Sequence, residues 1–327
     1  MNNKKVTKFI DILEANNNIC TNIIKTPLIY DFELSKKFNS NIFYKVESMQ
    51  RTGSFKIRGA YNKIFNSLNK IKKNGILAWS SGNHAQGVAE AASIFNIKST
   101  IIMPNDAPKI KIKGTKIRGA KIIFYDRKYE NREEIGKIIA QKEKLIIIPP
   151  YDDKYIIAGQ GTIGLEISNQ IKKYKLEPTN VLVPTGGGGL ISGIAIAIKN
   201  SFKNCNIYAV EPNKFNDYTK SLEQKKIVKN NLNNKSICDS LLAIEPGKLT
   251  FEINKKLIKK GLTVTDKEVL NAINYAYKNL KIILEPGGAV ALAAILNKKI
   301  KIEKTTTIAV LSGSNVDPKI LKKSLNF

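Results

Sequence analysis

The sequence predicts an α/β fold, with mostly parallel sheets covered by helices on both faces. Three observations carry that expectation. Short apolar runs at residues 42–46, 76–79, 100–103, 121–125, 145–148, 181–183, 207–210 and 307–311 read as strands, and segments of helical pattern fall between them, at 85–95, 132–141, 163–171, 190–198, 266–280 and 289–296. The 327 residues, 43% of them hydrophobic, supply core for roughly two domains of ordinary size. Four successive glycines, Gly186 to Gly189, separate the run 181–183 from the helical segment 190–198, and such a strand-to-helix junction leaves backbone N–H groups unshielded for an anion.

Taken in order, the chain opens with Met1-Asn2-Asn3-Lys4-Lys5 and an amphipathic stretch at 9–15, with neither the apolar core nor the cleavage site of a secretory leader. No run approaches the ~20 uncharged apolar residues that a membrane helix requires. A cytoplasmic location is therefore expected. The run 42–46 leads into a helix expected over 53–68, with Lys56 at its mouth. Several strand and helix units follow one another between residues 75 and 151. Thr265, with Glu268 three positions on, forms a capping box that opens the segment 266–280. No internal repeat or long linker is visible.

Cys20, Cys205 and Cys238 are widely separated and have no CxxC spacing, which excludes a disulfide framework or thiolate zinc site and fits a reducing compartment. The formal charge of +27 invites a nucleic-acid reading. The pattern argues against it. Lysines recur along the whole chain, as in Lys72-Lys73, Lys172-Lys173, Lys255-Lys256 and Lys298-Lys299, beside asparagine clusters at 16–18 and 230–234. That is a compositional bias displayed on solvated helix faces, and no nucleic-acid reading module accompanies it.

Two stretches carry chemistry. Ser54-Phe55-Lys56-Ile57-Arg58-Gly59 offers one amine at a helix mouth, and Pro184-Thr185-Gly186-Gly187-Gly188-Gly189-Leu190 offers a phosphate cup. Pyridoxal phosphate needs both: an amine for a Schiff base and a polydentate site for its phosphate, at opposite ends of a rigid ring system. A lysine in so basic a chain is ordinarily a solvated charge, and context sets Lys56 apart.

Glu47-Ser48-Met49-Gln50-Arg51-Thr52-Gly53-Ser54-Phe55-Lys56, Ser81-Gly82-Asn83-His84-Ala85-Gln86-Gly87, Ala158-Gly159-Gln160-Gly161-Thr162, the glycine cluster, Glu285-Pro286-Gly287-Gly288-Ala289 and Ser312-Gly313-Ser314-Asn315 follow one another along the chain. In these segments, which span nearly its whole length, the sequence resembles the threonine/serine dehydratases of the fold type II pyridoxal phosphate enzymes, the group that includes serine racemase. The resemblance implies a tryptophan synthase β-like architecture of two three-layer α/β domains. The large cofactor-binding domain would comprise residues 1–74 and 152–327, with a small domain, 75–151, inserted in it and no C-terminal regulatory domain. It also implies a homo-oligomer, dimer or tetramer, that binds a small amino acid.

By the same resemblance Lys56 forms the Schiff base and removes the substrate α proton, Phe55 packs on the pyridine ring, and Asn83 bonds the ring hydroxyl. Gly186, Gly187, Gly188, Gly189 and Leu190 hold the phosphate, Glu285 belongs to the cofactor site, and Ser312 faces the pyridine nitrogen. Ser81, Asn83 and His84 surround the substrate carboxylate; taken alone, His84 is equally a capping or packing residue and Ser312 a turn serine. Serine racemases carry serine at the position of Ser81, as the acid/base on the face opposite the lysine. Glu211 and Asp217 are hard oxygen ligands, with the Phe215 carbonyl as a third, and match a divalent-cation site for magnesium or manganese; two nearby acids are otherwise surface charge. Arg132 falls where racemase-like members pair a second carboxylate, or else lies on a solvated helix face. Pro149-Pro150-Tyr151-Asp152-Asp153 instead matches catabolic threonine dehydratases.

The expected reaction is α,β-elimination of L-threonine or L-serine to 2-oxobutanoate or pyruvate and ammonia, with a minor serine racemase activity. The alternatives are 3-hydroxyaspartate dehydration or racemisation as the main activity. A different class, a nucleotide-binding oxidoreductase using Gly186 to Gly189 as its dinucleotide loop, lacks an acid placed to hold a ribose and leaves the lysine and Ser-Gly-Asn-His motifs unexplained.

Overall fold

Ten strands among the described residues pair into two sheets, and helices lie in the crossovers between parallel neighbours. The computed structural model describes residues 6–71, 73–107, 109–126, 128–231 and 233–327. The Met1-Asn2-Asn3-Lys4-Lys5 start, Lys72 of the lysine pair and position 232 within the second asparagine cluster lie outside them.

The strands are Leu28–Tyr30 (β1), Asn41–Val46 (β2), Ile76–Trp79 (β3), Ser99–Pro104 (β4), Lys121–Tyr125 (β5), Ile146–Ile147 (β6), Asn180–Pro184 (β7), Asn206–Pro212 (β8), Lys260–Val264 (β9) and Thr306–Leu311 (β10). One sheet has the order β1-β2-β10-β7-β8-β9 and the other β5-β4-β3-β6. Only β1 runs antiparallel to its neighbour, Leu28 standing opposite Lys45. The helices are Phe9–Ile19 (α1), Phe32–Phe38 (α2), Lys56–Phe65 (α3), Leu68–Ile71 (α4), Asn83–Ile94 (α5), Lys109–Ile117 (α6) and Arg132–Lys142 (α7), followed by Lys154–Lys172 (α8), Gly189–Ser201 (α9), Asp217–Gln224 (α10), Lys248–Leu257 (α11), Asp266–Tyr275 (α12), Pro286–Leu296 (α13) and Pro318–Leu325 (α14). None of them, among the described residues, is long and apolar enough to cross a membrane.

All eight expected strands form, and the Thr265–Glu268 capping box closes as expected. Two strands were not anticipated. β1 is three residues long, and β9 is an edge strand whose Lys-Gly start breaks the apolar alternation; Gly261 is needed there because Thr219 packs against it. The helix expected at 163–171 begins instead at Lys154, with the Asp153 carboxylate accepting from the N–H groups of Tyr155 and Ile156. Gly159 and Gly161, before the expected start, lie in this helix and make helix contacts: a Cβ on Gly159 would run into the backbone of Arg58 and Gly59, and one on Gly161 would lie 3.1 Å from the Gly193 carbonyl. The helix expected from Gly53 starts at Lys56, because Gly53 has φ +68° and makes the preceding turn. The segment 266–280 is regular to Tyr275 and then widens into a π turn, Ala276–Leu280, ended by Lys281 in a left-handed conformation.

The helix that carries Lys56 is fixed from beneath. Arg58, 1% exposed, donates through Nε to Glu47 (2.8 Å) and through NH1 to Glu166 (2.6 Å), while buried Lys45 pairs with Glu166 as well. Two cations and two anions cancel, each with hydrogen-bond partners, which is the condition for keeping charge in a core. This quartet ties α3 to the end of β2 and to α8.

Candidate active site

The parallel strands β2, β7, β8 and β10 all end on the same side, where loops of open α/β sheets collect ligands. The loop after β10 knits the site together. Ser54 and Gly313 form an isolated antiparallel bridge, the Phe55 N–H donates to the Ser312 carbonyl (3.3 Å), and the Asn315 amide donates to the Thr52 carbonyl and to Asn83 Oδ1. Lys56 therefore leaves α3 beside Ser312, which is itself buried.

The Lys56 amine donates to the Pro150 carbonyl at 2.9 Å and stands 5.2 Å from the Phe55 ring centre. Although the residue keeps some surface, the amine is wrapped by protein, and desolvation pulls its pKa down to about 8 against the opposing pull of Glu285. At neutral pH an appreciable fraction of the amine is unprotonated.

The glycine loop is a cup by backbone geometry. The Gly187 carbonyl accepts from Thr250 Oγ1 (2.7 Å) and the Gly247 N–H (3.2 Å), and the Gly188 carbonyl accepts from the N–H and hydroxyl of Ser192. In a trans peptide the N–H points opposite to the carbonyl, so tying these two carbonyls outward turns the Gly188 and Gly189 N–H groups the other way. Leu190, buried in the first turn of α9, adds another N–H without an intrahelical acceptor. Gly188 has φ +94°, and the Tyr218 hydroxyl lies where its Cβ would stand; at Gly187 that space belongs to the Tyr151 ring. Gly186 lies against Leu241, 3.4 Å from its Cα to a built Cβ. The loop fits a phosphate through donors, not cations.

Across from the loop, α5 starts at Gly82, an N-cap with no side chain to satisfy the first N–H groups. Ser81 is half-buried in the bend before it. Asn83 is buried, with its amide donating to Glu285 Oε1. The His84 ring donates to the Ile148 carbonyl (2.9 Å), and burial, with the Lys56 charge, lowers its pKa to about 3. The ring is thus a neutral, buried donor committed to protein, and it is the backbone N–H of His84 that remains at the open helix end. Glu285, the N-cap of α13, is pushed up to about 7 by burial and by Asp239, and its Oε2 is buried without a hydrogen-bond partner. Gly87 lets α5 touch the backbone at Lys56, bringing this end and the amine together.

Arg132 is exposed at the start of α7. Glu211 accepts from the N–H groups of Tyr218 and Thr219 and from the Thr219 hydroxyl, so it caps α10, whose first residue is Asp217. Burial and mutual repulsion raise Glu211 to about 8, and burial raises Asp217 to about 7; the three donors on Glu211 pull it back toward the charged form. Asp217 Oδ2, Asn216 Oδ1 and Asn230 Oδ1 are buried without partners beside them. Among the described residues no three His, Cys, Asp or Glu side chains converge as a metal cluster.

Sequence reasoning missed Lys111 and Asp239, which form an ion pair from α6 to the short 3-10 turn Asp239–Leu241. Nothing in the sequence separates Lys111 from the chain's other lysines. It also missed the Pro150 carbonyl, since backbone acceptors have no sequence signal.

A buried amine with its pKa lowered to about 8, beside a cup of backbone donors, suits one class of enzyme, that which binds its substrates through a phosphorylated aldehyde cofactor. The chain belongs to the pyridoxal-phosphate dependent enzyme family, whose model matches residues 19–313, and its fold is that of the fold type II branch. It is 37% identical over 314 residues to an L-threo-3-hydroxyaspartate ammonia-lyase of Saccharomyces cerevisiae, covering 96% of this chain and 95% of that one. It is 40% identical over 311 residues to a catabolic L-threonine dehydratase of Staphylococcus aureus, covering 94% and 88%. The structure of maize serine racemase superposes with a TM-score of 0.91 at 34% identity, covering 98% and 97%. The chain is a pyridoxal phosphate enzyme of this ammonia-lyase and racemase group.

Proposed function

We propose that the protein dehydrates small β-hydroxy amino acids, L-threonine or L-serine, to the 2-oxo acid and ammonia. The observation that carries this reading is the Lys56 amine, lowered to about 8 and held by the Pro150 carbonyl, a base available at neutral pH. Bound pyridoxal phosphate supplies the electron sink that makes the α-carbon acidic. The N–H groups of Gly188, Gly189 and Leu190 hold the phosphate end, and Phe55 offers an apolar face to the ring. Asn83, fixed by Glu285 and Asn315, orients the cofactor from the side. Buried Ser312 would offer the ring nitrogen a hydroxyl, too weak a partner to hold a proton there, which would favour elimination over transamination. The open N-terminus of α5, at Ser81 to His84, receives the substrate carboxylate.

Lys56 then takes the α proton and passes it to the departing β hydroxyl, which leaves as water, and the unsaturated amine that is released hydrolyses with a second water to ketone and ammonium. Residues 75–151 form the small domain of this arrangement, inserted between 1–74 and 152–327. A magnesium or manganese ion would be held by Glu211, Asp217 and the Phe215 carbonyl; within that set the unpartnered oxygen is Asp217 Oδ2. Dehydration of 3-hydroxyaspartate is the second reading, favoured by Arg132 and by the Saccharomyces cerevisiae relative.

Borohydride reduction of the purified protein should abolish its near-visible absorbance and leave a pyridoxyl label on Lys56 by mass spectrometry. A substrate panel read by oxo-acid formation then ranks threonine, serine and hydroxyaspartate. A label on another lysine, or no oxo acid from any of the three, would reject the proposal.

A further inference from the structure

Lys111 is 6% exposed, in a chain whose lysines are mostly solvated, and a buried ammonium is tolerated only when paired. Its partner, Asp239, comes from the opposite side of the cleft and has a side chain 49% exposed. A Cβ built on Gly82 would lie 3.9 Å from the Lys111 amine. That places the ammonium over the start of α5, where the N–H groups of Asn83, His84 and Ala85 have no intrahelical acceptor. The nearby Glu285, buried and with Oε2 unpartnered, feels the same ammonium, which draws its pKa down against burial. One cation is thus set among two protein carboxylates and an open ring of backbone donors.

We infer that Lys111 is the side-chain anchor of the substrate's α-carboxylate, and that Asp239 holds its amine until substrate arrives. The inference rests on the amino-acid lyase reading above and adds to it a charged contact. Exchange of one carboxylate for another keeps the ammonium paired, and Asp239, half exposed, turns to water at little cost. The incoming carboxylate gains the helix N-terminus as well, which Asp239 does not use. Arg132, exposed on α7, is left to any second carboxylate.

A structural clasp and a binding residue differ in sign, and two variants of the holoenzyme separate them. Lys111→Met removes the anchor: KM for L-serine and L-threonine should rise together by about 10- to 100-fold, the range for one lost charge-assisted hydrogen bond, with kcat changed much less. Lys111→Arg should recover part of the loss. Asp239→Asn removes the competitor, so KM should fall several-fold. Calorimetric binding of propionate, which carries the carboxylate but no amine, should follow the same order: weaker in Lys111→Met and tighter in Asp239→Asn. This readout does not depend on which amino acid is turned over, so it stays informative if the substrate assignment fails. Weaker binding in both variants would make the pair a clasp between the two sides and overturn the inference, as would unchanged binding in either. Should Lys111→Met fail to fold, the direction of the Asp239→Asn change alone decides. A loss confined to a dicarboxylic substrate would move Lys111 to a second carboxylate and also overturn it.

Discussion

The β7–α9 loop and helix α6 come to the same cleft with opposite equipment. Around the loop nearly every residue from Val181 to Ala195 is buried, its carbonyls are tied down, and two tyrosines fill the spaces that side chains would occupy. Helix α6 is thinly covered, with Ile117 72% exposed, and it reaches toward the site through the long side chain of Lys111. The strand beside that layer, β5, is only partly covered, whereas β7 is buried throughout. A phosphate is met by preorganised backbone dipoles that cannot be rearranged without disturbing the core. On the inference above, a substrate would be met by rotatable charges on a lighter layer, where a change alters selectivity before it alters the fold.

The largest effect lies on the rigid side. Lys56→Ala should reduce turnover by at least about a thousandfold, the loss of the general base together with the amine that holds the cofactor. The melting temperature of the apoprotein should stay close to wild type, because the side chain is not part of the Arg58 quartet. Turnover at the wild-type rate would end the assignment.

Gly188→Val tests whether the cup is made by backbone alone. The φ of +94° and the Tyr218 hydroxyl both exclude a β-branched side chain, so a loss of a few kcal/mol in stability accompanies the loss of cofactor affinity. Cofactor titration and denaturant unfolding should both shift. Lys113→Ala on α6 should shift neither.

The pH dependence of cofactor uptake sharpens the same contrast. Only the neutral Lys56 amine can attack an aldehyde, and its pKa is lowered to about 8, so the rate of loading apoprotein should climb with pH and be half-maximal near 8. Stopped-flow absorbance checks it; a midpoint near the ordinary lysine value would place the amine in water.

The least drastic catalytic change is Ser81→Ala. Inverting an α-carbon needs a second proton donor on the face away from Lys56. With Ser81 in that role, wild type should form a little D-serine from L-serine, and the variant should lose this while keeping most dehydration. Chiral analysis with deuterium incorporation decides it: no D-serine from wild type, or equal loss of both activities, removes the two-face role.

The smallest effect is on stability. Lys225 ends α10 in a left-handed conformation, φ +56°, where glycine is the unstrained choice. Lys225→Gly should stabilise the protein by about 0.5–1 kcal/mol in denaturant titration.

The rigid side was the more legible in the sequence. Gly186 to Gly189 and the turn before Lys56 are contiguous motifs whose chemistry depends on neighbours in the chain, so a local reading suffices. His84 drew attention through its motif, but the commitment of its ring to the Ile148 carbonyl is set by tertiary packing alone. Lys111 could not be found, because its distinction is burial across a cleft, and one lysine reads like another. The start of α8 at Lys154 was not legible for a related reason: its glycines serve contact with α3 and α9, and a contact partner is invisible to periodicity.

The place of β10 bears on how the chain is made. It is the last strand in sequence, yet it sits between β2 and β7 in the middle of the larger sheet, in register with both. Until residues 306–311 have left the ribosome, β2 and β7 have no partner to join them, and the Ser312 loop that bonds Phe55 does not exist. The contacts are far apart along the chain, so loop-closure entropy delays them. The nascent polypeptide therefore exposes the free edge of β2 from early in its synthesis and that of β7 once residues 180–184 have emerged, which are sites for chaperones or for aggregation, and it gains a place for its cofactor only when β10 has paired.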